Sequence, residues 1–218
     1  MPNVDDGPLE HLIDGGSFGR VKDELETRDA LGFPGYAELI AKEAADAGSD
    51  ESVTYGAATI GNHDVEVAAF SFKFFGGSMG EVAGERLARS MERAAERGVP
   101  FVLRTATGGA RMQEGMRALV QMPKVVAARF ALAEAHTPFI AVLGDPTTGG
   151  VLASIGALAD YTIAEAGATI GFAGRRKTTG QQGTKKICRR LYRSKRAYAK
   201  RKGFQTGRAS VKILRRKR

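Results

Sequence analysis

The chain has 218 residues, of which 43% are hydrophobic, and carries a formal net charge of +9. This length suits one sizeable core with an additional segment, and no apolar run approaches the roughly 20 residues that a membrane-spanning helix needs. The single cysteine, Cys188, excludes an internal disulfide and a four-cysteine zinc site. Because the acidic N-terminus differs from a secretory signal, we expect a cytoplasmic protein that does not bind membranes.

The first elements in chain order are a helix and a hairpin. The first fifty residues are mostly polar, and a helix is predicted over residues 35–47. Residues 53–60 and 65–72 predict two strands. The turn residues Gly61 and Asn62 join them, so this hairpin is the antiparallel part of the predicted sheet.

A long helix is predicted after the hairpin. Ser78 and Glu81 have the spacing of a capping box, and Gly98 with Pro100 ends the helix near Arg97. Apolar residues recur along it at helical spacing. They are Ala83, Leu87, Met91 and Ala94, and we expect them to face the core.

Strands and helices alternate further along the chain. Strands are predicted over residues 100–106, 138–143, 161–164 and 168–172, with a short helix ending near Leu158. Such alternation predicts an α/β fold with a mainly parallel sheet.

A second long helix is predicted to begin at Arg111, and Pro123 is expected to kink it. Its apolar positions follow helical spacing. They are Met112, Met116, Leu119, Val126 and Phe130. We interpret the methionines Met112, Met116 and Met122 as core residues.

Two loops share one design, in which an apolar strand is followed by Thr-Gly-Gly and then a helix. They are residues 107–109 and 148–150. Glycine lets a ligand approach the backbone, and the N–H groups at a helix start can bind an oxyanion. The alternative is tight strand-to-helix packing without a ligand. Since sites gather at the carboxyl ends of parallel strands, Gly108 and Gly149 are predicted on the same side of the sheet.

The positive charge is concentrated at the end of the chain. Residues 1–174 contain 14 Lys and Arg and all 24 Asp and Glu, giving −10, whereas residues 175–218 contain 19 Lys and Arg and no acid, giving +19. A nucleic-acid-binding arm would use these cations. We favour a frame-shifted or truncated product instead, so nucleic-acid binding is not expected. A segment with this composition is predicted to be disordered and to pack no core.

Several segments resemble a known family. The segments GGSMG (76–80), GGARMQEG (108–115), DPTTGGV (145–151) and IGFAG (170–174) are similar, in order and spacing, to signatures of the β subunits of bacterial acetyl-CoA carboxylase carboxyltransferases. IDGGSF (13–18) resembles the family's opening segment. The resemblance covers about residues 12–174, and these β subunits belong to the biotin-dependent acyl-CoA carboxyltransferases.

The resemblance implies a fold and a domain organisation. The fold is the crotonase-like (ClpP/crotonase) ββα spiral. We divide the chain into an N-terminal segment (1–11), a C-terminally incomplete carboxyltransferase domain (12–176) and a basic tail (177–218). The family's four-cysteine zinc module would precede this segment, so zinc and other metals are not expected.

The resemblance also implies a reaction and its partners. The carboxyl group of carboxybiotin, carried on a partner protein, passes to acetyl-CoA and forms malonyl-CoA for fatty-acid synthesis. The implied partners are a carboxyltransferase α subunit, a biotin carboxyl carrier protein and biotin carboxylase, in a hetero-oligomer whose site lies between two crotonase-like units.

The site residues follow from the same resemblance. Gly108 and Gly109 are implied to form a backbone oxyanion hole for the thioester enolate, while biotin itself takes the proton. The implied substrate-binding residues are Gly76, Gly77, Ser78, Met79, Gly80, Ala110, Arg111, Gly149, Gly150, Phe172 and Gly174.

Alternatives remain open at three residues. Glu114 would be the acid or base of a crotonase-type hydratase or decarboxylase, or a carboxylate favoured at a helix start. Arg111 would meet a CoA phosphate or form a salt bridge. Asp145 is more typical of a turn than of a catalyst. A further rival function is an inactive scaffold whose basic tail contacts nucleic acid.

Overall fold

A computed structural model describes residues 8–172 and 213–214. Its helices are α1 (Tyr36–Ala47), α2 (Glu81–Arg97), α3 (Gly115–Leu119), α4 (Gln121–Glu134) and the single turn α5 (Gly149–Val151), with 3₁₀ turns at Phe75–Gly77 and Met112–Glu114 and a π turn at Leu152–Gly156. Its strands are β1 (Gly19–Arg20), β2 (Val53–Ile60), β3 (His63–Phe70), β4 (Phe101–Thr107), β5 (Phe139–Thr148), β6 (Tyr161–Glu165), β7 (Ile170–Gly171) and β8 (Ile213–Leu214).

The described strands form one mixed sheet in the order β1-β2-β3-β4-β5-β6-β8, with β7 beside β5. Strand β2 pairs antiparallel with β1 on one side and with β3 on the other, and all other pairs of described strands are parallel. The predicted α/β class, hairpin and mainly parallel sheet are therefore confirmed. The hairpin is not the only antiparallel part, because β1 adds a second antiparallel pair that the polar first fifty residues did not predict.

The core lies on both faces of the sheet because side chains alternate along a strand. Ala68 and Phe70 of β3 belong to the larger cluster, which the helices α2 and α4 cover. Val67 and Ala69 point to the other face, where Leu9 of the N-terminal segment covers them. The predicted buried stripe of α2 is confirmed. Its residues Ala83, Leu87, Met91 and Ala94 are all fully buried.

The opening segment fastens the hairpin turn. The Asp14 carboxylate accepts hydrogen bonds from the Asn62 and Gly61 N–H groups at 2.8 and 2.9 Å and from the Thr59 hydroxyl at 2.8 Å. These hydrogen bonds, that from Asn62 foremost, lower the pKa of Asp14. The motif that begins with Ile13 therefore has a structural role at the edge of the sheet.

The second long helix differs from its prediction. The chain forms a 3₁₀ turn and the short α3 before α4 begins at Gln121, and Pro123 lies in the first turn of α4, where no N–H is needed. The assignment of Met112 and Met116 to the core is wrong, because their exposed fractions are 81% and 69%, whereas Met122 packs against the core as predicted. Leu119 and Phe130, which share the helical spacing, are 46% and 65% exposed. Val125, Ala128 and Leu132 face the core instead.

Most of the basic tail lies outside the described residues. The exception is the backbone of β8, in which Ile213 pairs with Ala164 and Leu214 with Glu165 at the edge of the sheet. The domain boundary at Arg176 and the character of residues 177–218 stay predictions.

Removal of the tail is expected to change the stability of the core little. A chain that ends at Arg176 loses the two β8 pairs, and an intramolecular hydrogen bond contributes about 1 kcal/mol net. Exposed attractions between the acidic core and the basic tail are weak and screened by salt. Thermal melting of both chains at low and high salt measures the effect. A melting temperature lowered by many degrees at both salt concentrations would contradict the prediction and make the tail an integral packed element.

Candidate functional site

Three glycine-containing loops meet at the carboxyl ends of the parallel strands β3, β4 and β5. A Cβ atom built on Gly149 would lie 3.1 Å from the Cα of Gly109 and 3.2 Å from the carbonyl oxygen of Gly108. The loops after β4 and β5 are thus in backbone contact. The prediction that Gly108 and Gly149 lie on the same side of the sheet is confirmed.

Backbone hydrogen bonds join the loop of residues 76–80 to the loop after β4. The Gly108 N–H donates to the Gly76 carbonyl oxygen at 2.9 Å, and the Met79 N–H donates to the Gly109 carbonyl oxygen at 2.8 Å. The Arg111 N–H donates to the Met79 carbonyl oxygen at 3.0 Å. These three bonds make the two loops a single layer, in which Met79 and Ala110 form a parallel bridge.

The N–H groups of the implied oxyanion hole have partners within the chain. The Gly108 N–H is bonded to Gly76, and the Gly109 N–H donates to the Thr107 hydroxyl oxygen at 3.0 Å. A substrate oxygen would have to displace the Thr107 hydroxyl to reach the Gly109 N–H. The oxyanion-hole role of Gly108 and Gly109 therefore stays a prediction.

Arg111 lies at the centre of a buried polar cluster. Its side chain has no exposed surface, and its guanidinium binds the Glu51 carboxylate through both terminal nitrogens, one of them at 2.9 Å. The rings of Phe74 and Phe75 each lie 5.2 Å from the guanidinium carbon, and Ser78 accepts hydrogen bonds from the same group. The structure thus shows the salt-bridge alternative for Arg111. A contact with a CoA phosphate stays a prediction that this geometry does not support.

Glu114 is also buried, and it caps a helix that is not its own. Its carboxylate accepts the N–H of Glu81, the first residue of α2, at 2.5 Å, the Tyr36 hydroxyl at 2.7 Å and Arg111 at 3.1 Å. Burial, together with the neighbouring Glu114, raises the pKa of Tyr36, so Tyr36 stays a donor. Gly80 has no room for a Cβ beside this carboxylate. These contacts favour a structural role for Glu114 over an acid or base.

The remaining predicted site residues differ in their surroundings. Gly77 has a φ of 64° and no room for a Cβ against the Ala106 carbonyl, and Gly150 lies against the Met122 side chain. Phe172 is 74% exposed, although its carbonyl oxygen accepts the Gly149 N–H at 3.2 Å. Asp145 lies within β5, not in a turn, and its carboxylate accepts the N–H of Thr169, 24 positions further along the chain, at 2.7 Å. Gly174 lies outside the described residues.

Sequence reasoning missed Glu51 and Tyr36, which complete the cluster around Arg111. Glu51 lies in a polar stretch before β2, and its side chain has no exposed surface. No local pattern marks either residue, because their partners are 60 and 78 positions away along the chain. Within residues 8–172, no group of three or more His, Cys, Asp or Glu side chains is arranged to hold a metal ion. None of the helices in the described part could cross a membrane.

An α/β sheet flanked by helices, with glycine loops gathered at the carboxyl ends of its parallel strands, defines a crotonase-like domain. The model of the carboxyl transferase domain family matches residues 9–204. The chain belongs to this carboxyl transferase family. The match continues past Gly174, where the resemblance of the signature segments ends.

Two curated relatives are similar to much of the chain. The acetyl-coenzyme A carboxylase carboxyl transferase subunit beta of Herpetosiphon aurantiacus is 46% identical over 172 residues, which cover 77% of this chain and 58% of the relative. The subunit of the same name from Rubrobacter xylanophilus is 45% identical over 165 residues, covering 76% and 64%. The chain thus spans about three fifths of the length of these relatives.

Two solved structures are similar to this chain in fold. A transcarboxylase 12S structure with bound methylmalonyl-coenzyme A has a TM-score of 0.63 at 30% identity, covering 75% of this chain and 30% of that chain. A Pseudomonas malonate decarboxylase hetero-dimer has a TM-score of 0.56 at 26% identity, covering 77% and 64%.

Proposed function

We propose that this chain contributes the acyl-CoA-binding half of a carboxyltransferase, in which the carboxyl group of carboxybiotin passes to acetyl-CoA and forms malonyl-CoA. The observation that carries the proposal is the close approach of the Gly108 and Gly149 loops at one end of the sheet. Both curated relatives are named as acetyl-CoA carboxylase subunits, and the similar transcarboxylase binds an acyl-CoA.

The chain's own part in this reaction is to bind and orient the thioester. The α-carbon of acetyl-CoA loses a proton, so negative charge develops on the thioester oxygen, and backbone N–H groups are suited to stabilise it. A Cβ atom built on Gly108 would have one heavy atom within 4 Å, the Gly76 carbonyl oxygen at 3.4 Å, so the backbone is little covered on this side. We assign the oxygen to the N–H groups of Gly108 and Gly109, which would exchange their bonds to the Gly76 carbonyl and the Thr107 hydroxyl for a bond to the substrate.

The described residues around the loops support carboxybiotin as the second substrate, because they offer no free acid or base. Arg111 and Glu114 reach the loops but are held in buried ion pairs. This arrangement suits a reaction in which the carboxyl donor also supplies the proton acceptor. The loops of residues 108–110 and 148–150 would flank the donor.

The exposed apolar residues beside the site support a partner subunit. Met112, Met116, Leu119 and Val120 are 81, 69, 46 and 49% exposed, and they follow directly after the Gly108–Gly109 loop. Contiguous exposed apolar surface is typical of a protein interface. We therefore propose that a carboxyltransferase α subunit covers this surface, and that the biotin carboxyl carrier protein and biotin carboxylase complete the assembly.

The full chain is expected to bind acetyl-CoA at the loops of residues 76–80 and 108–109. Backbone N–H groups and glycine-lined space should accommodate the thioester there. Isothermal titration calorimetry with acetyl-CoA, with free acetate as the comparison ligand, measures the binding. Absence of heat at millimolar acetyl-CoA, from a chain that circular dichroism shows to be folded, would count against the proposed function.

The variant Glu114→Gln is expected to keep carboxyl transfer within a few-fold of the wild-type rate. The amide still accepts hydrogen bonds from Tyr36 or Glu81, although loss of the charge beside Arg111 should lower stability by about 1–3 kcal/mol. A hydratase that used Glu114 as its acid or base would lose about 10²–10⁴-fold. Malonyl-CoA formation and enoyl-CoA hydration, both measured below the melting temperature of the variant, distinguish the two reactions.

A further inference from the structure

Glu51 lies outside every signature segment but contacts the centre of the site's supporting cluster. It stands two residues before β2, and its side chain has no exposed surface. Its carboxylate accepts hydrogen bonds from the Thr27 hydroxyl at 2.6 Å and from the N–H of Ser52 at 2.5 Å. It also accepts hydrogen bonds from both terminal nitrogens of Arg111. One buried carboxylate therefore connects the segment after β1, the start of β2 and Arg111.

The orientation of Arg111 determines where Ser78 lies. A guanidinium is planar, so a carboxylate that binds both of its terminal nitrogens fixes the plane of the whole group. In that plane, the Arg111 Nε donates to the Ser78 hydroxyl oxygen at 3.1 Å, and a terminal nitrogen donates to the Ser78 carbonyl oxygen at 2.8 Å. The rings of Phe74 and Phe75 contact the guanidinium and restrict it further.

Ser78 in turn lies between the residues that join the two loops. Gly76, two positions before Ser78, accepts a hydrogen bond from the Gly108 N–H. Met79, directly after Ser78, donates to the Gly109 carbonyl oxygen and accepts from the Arg111 N–H. A shift of Ser78 must therefore change the position of Gly76 and Met79 relative to the loop after β4. The distance between these loops sets the space in which a thioester oxygen could reach Gly108 and Gly109.

We infer that Glu51 is a positioning residue of the acyl-CoA site, which acts by holding the Arg111 guanidinium against Ser78 and so fixes the loop of residues 76–80 relative to Gly108 and Gly109. This inference rests on the proposed function for the identity of the ligand. Glu51 itself contacts no substrate, and its effect passes through Arg111.

The chain offers a matched control in a second buried carboxylate. Glu66 also has no exposed side-chain surface, and it is paired with two arginines, Arg93 and Arg97. It lies in register with Phe101 at the start of β4, whereas the glycine loops follow the other end of that strand. At about 3.3 Å per residue, the length of β4 separates Glu66 from the loops by roughly 20 Å. Glu51→Gln and Glu66→Gln thus remove the same charge from comparably buried sites.

The first experiment measures amide hydrogen exchange in the full chain without substrate. In Glu51→Gln, we expect at least about ten-fold faster exchange at the N–H groups of Gly108, Met79 and Arg111, because local opening of these bonds becomes easier. In Glu66→Gln, exchange at the same three amides should equal that of the wild type. Equal exchange at these amides in wild type and Glu51→Gln would overturn the inference.

The second experiment measures carboxyl transfer in the chain assembled with its partner subunit. Misplacement by about 1 Å can reduce turnover about 10²-fold, so Glu51→Gln should lower kcat by that order with little change in KM for acetyl-CoA. Glu66→Gln should leave both unchanged. A wild-type complex without turnover would sink the proposed function, while the exchange experiment would still decide whether Glu51 positions the loops.

A triple variant separates positioning from stability. Replacement of buried ionic groups by uncharged side chains of similar volume is often neutral for stability, and Glu114 must be included because Arg111 pairs with it as well. Glu51→Leu with Arg111→Met and Glu114→Gln should therefore melt closer to the wild type than Glu51→Gln does, but it lacks the hydrogen bonds to Ser78 and should keep the low kcat. If kcat recovers together with the melting temperature, Glu51 has only a structural role and the inference is wrong.

Discussion

Replacing Gly77 with alanine is expected to destabilise the folded chain by about 2–5 kcal/mol and to abolish acetyl-CoA binding. Gly77 has a φ of 64°, a conformation that costs other residues about 1–2 kcal/mol. Its added Cβ would also collide with the Ala106 carbonyl oxygen, which belongs to the backbone of β4. Overpacking of this kind costs about 1–3 kcal/mol. The collision can be relieved only if the loop moves away from β4, and this movement opens the site.

Gly98→Ala is the matched control for this prediction. Gly98 ends α2 with the same φ of 64°, but a Cβ there would have no heavy atom within 4 Å. The backbone strain is therefore equal, while the collision and the proximity to the site are absent. Urea denaturation and calorimetry with acetyl-CoA should show a loss of about 1–2 kcal/mol and unchanged affinity in Gly98→Ala. Equal stability and equal affinity in the two variants would show that the 76–80 loop tolerates displacement.

Elements that depend on local patterns were predictable from the sequence. The buried stripe of α2 follows from helical spacing, which repeats over about three turns, from Ala83 to Ala94, without interruption. The position of Gly108 and Gly149 on the same side of the sheet was predictable as well, because parallel strands end at the same edge whatever side chains follow them. Neither conclusion requires knowledge of distant partners.

The same spacing rule gave the wrong result for Met112 and Met116. Helical spacing shows that apolar residues share a face, but it does not show whether the chain's own core or another molecule covers that face. In addition, Gly115, which has a φ of 53°, interrupts the segment, so Met112 and α4 do not belong to one continuous helix. An exposed apolar face is the expected property of a subunit that has an interface.

The role of Arg111 could not be derived from the sequence, because its partners are distant along the chain. The motif that contains it left open a contact with a CoA phosphate or a salt bridge, and in the structure Glu51, Glu114 and Ser78 surround its guanidinium. Desolvation lowers the pKa of a buried arginine, but here the hydrogen bonds and charge of Glu51 outweigh it, and the pKa of Arg111 is raised. Arg111 thus supports the loops of the site from a buried position, through its hydrogen bonds to Ser78.

Replacing Arg86 with alanine is expected to cost about 3–5 kcal/mol, because it leaves a buried carboxylate without its partner. Arg86 on α2 binds Asp23 through two hydrogen bonds of 2.9 and 3.1 Å, and both side chains are only 4% exposed. It also donates to Asp50 at 2.6 Å and to the Val53 carbonyl at 3.1 Å. The residue therefore fastens the segment after β1 and the start of β2 to α2.

Arg89 provides the control for Arg86, since it lies one turn further along the same helix. Its side chain is 44% exposed, and its ion pair with Glu85 is of the i,i+4 type, which contributes about 0.3–0.5 kcal/mol. Thermal melting should show a decrease of roughly 6–20 °C for Arg86→Ala and almost none for Arg89→Ala. Equal, small decreases in both would mean that solvent reaches Asp23 and that the segment after β1 is not held by this pair. A large decrease in Arg86→Ala alone would show that the segment after β1 folds as one unit with α2, whose first residue, Glu81, donates its N–H to Glu114 beside the glycine loops.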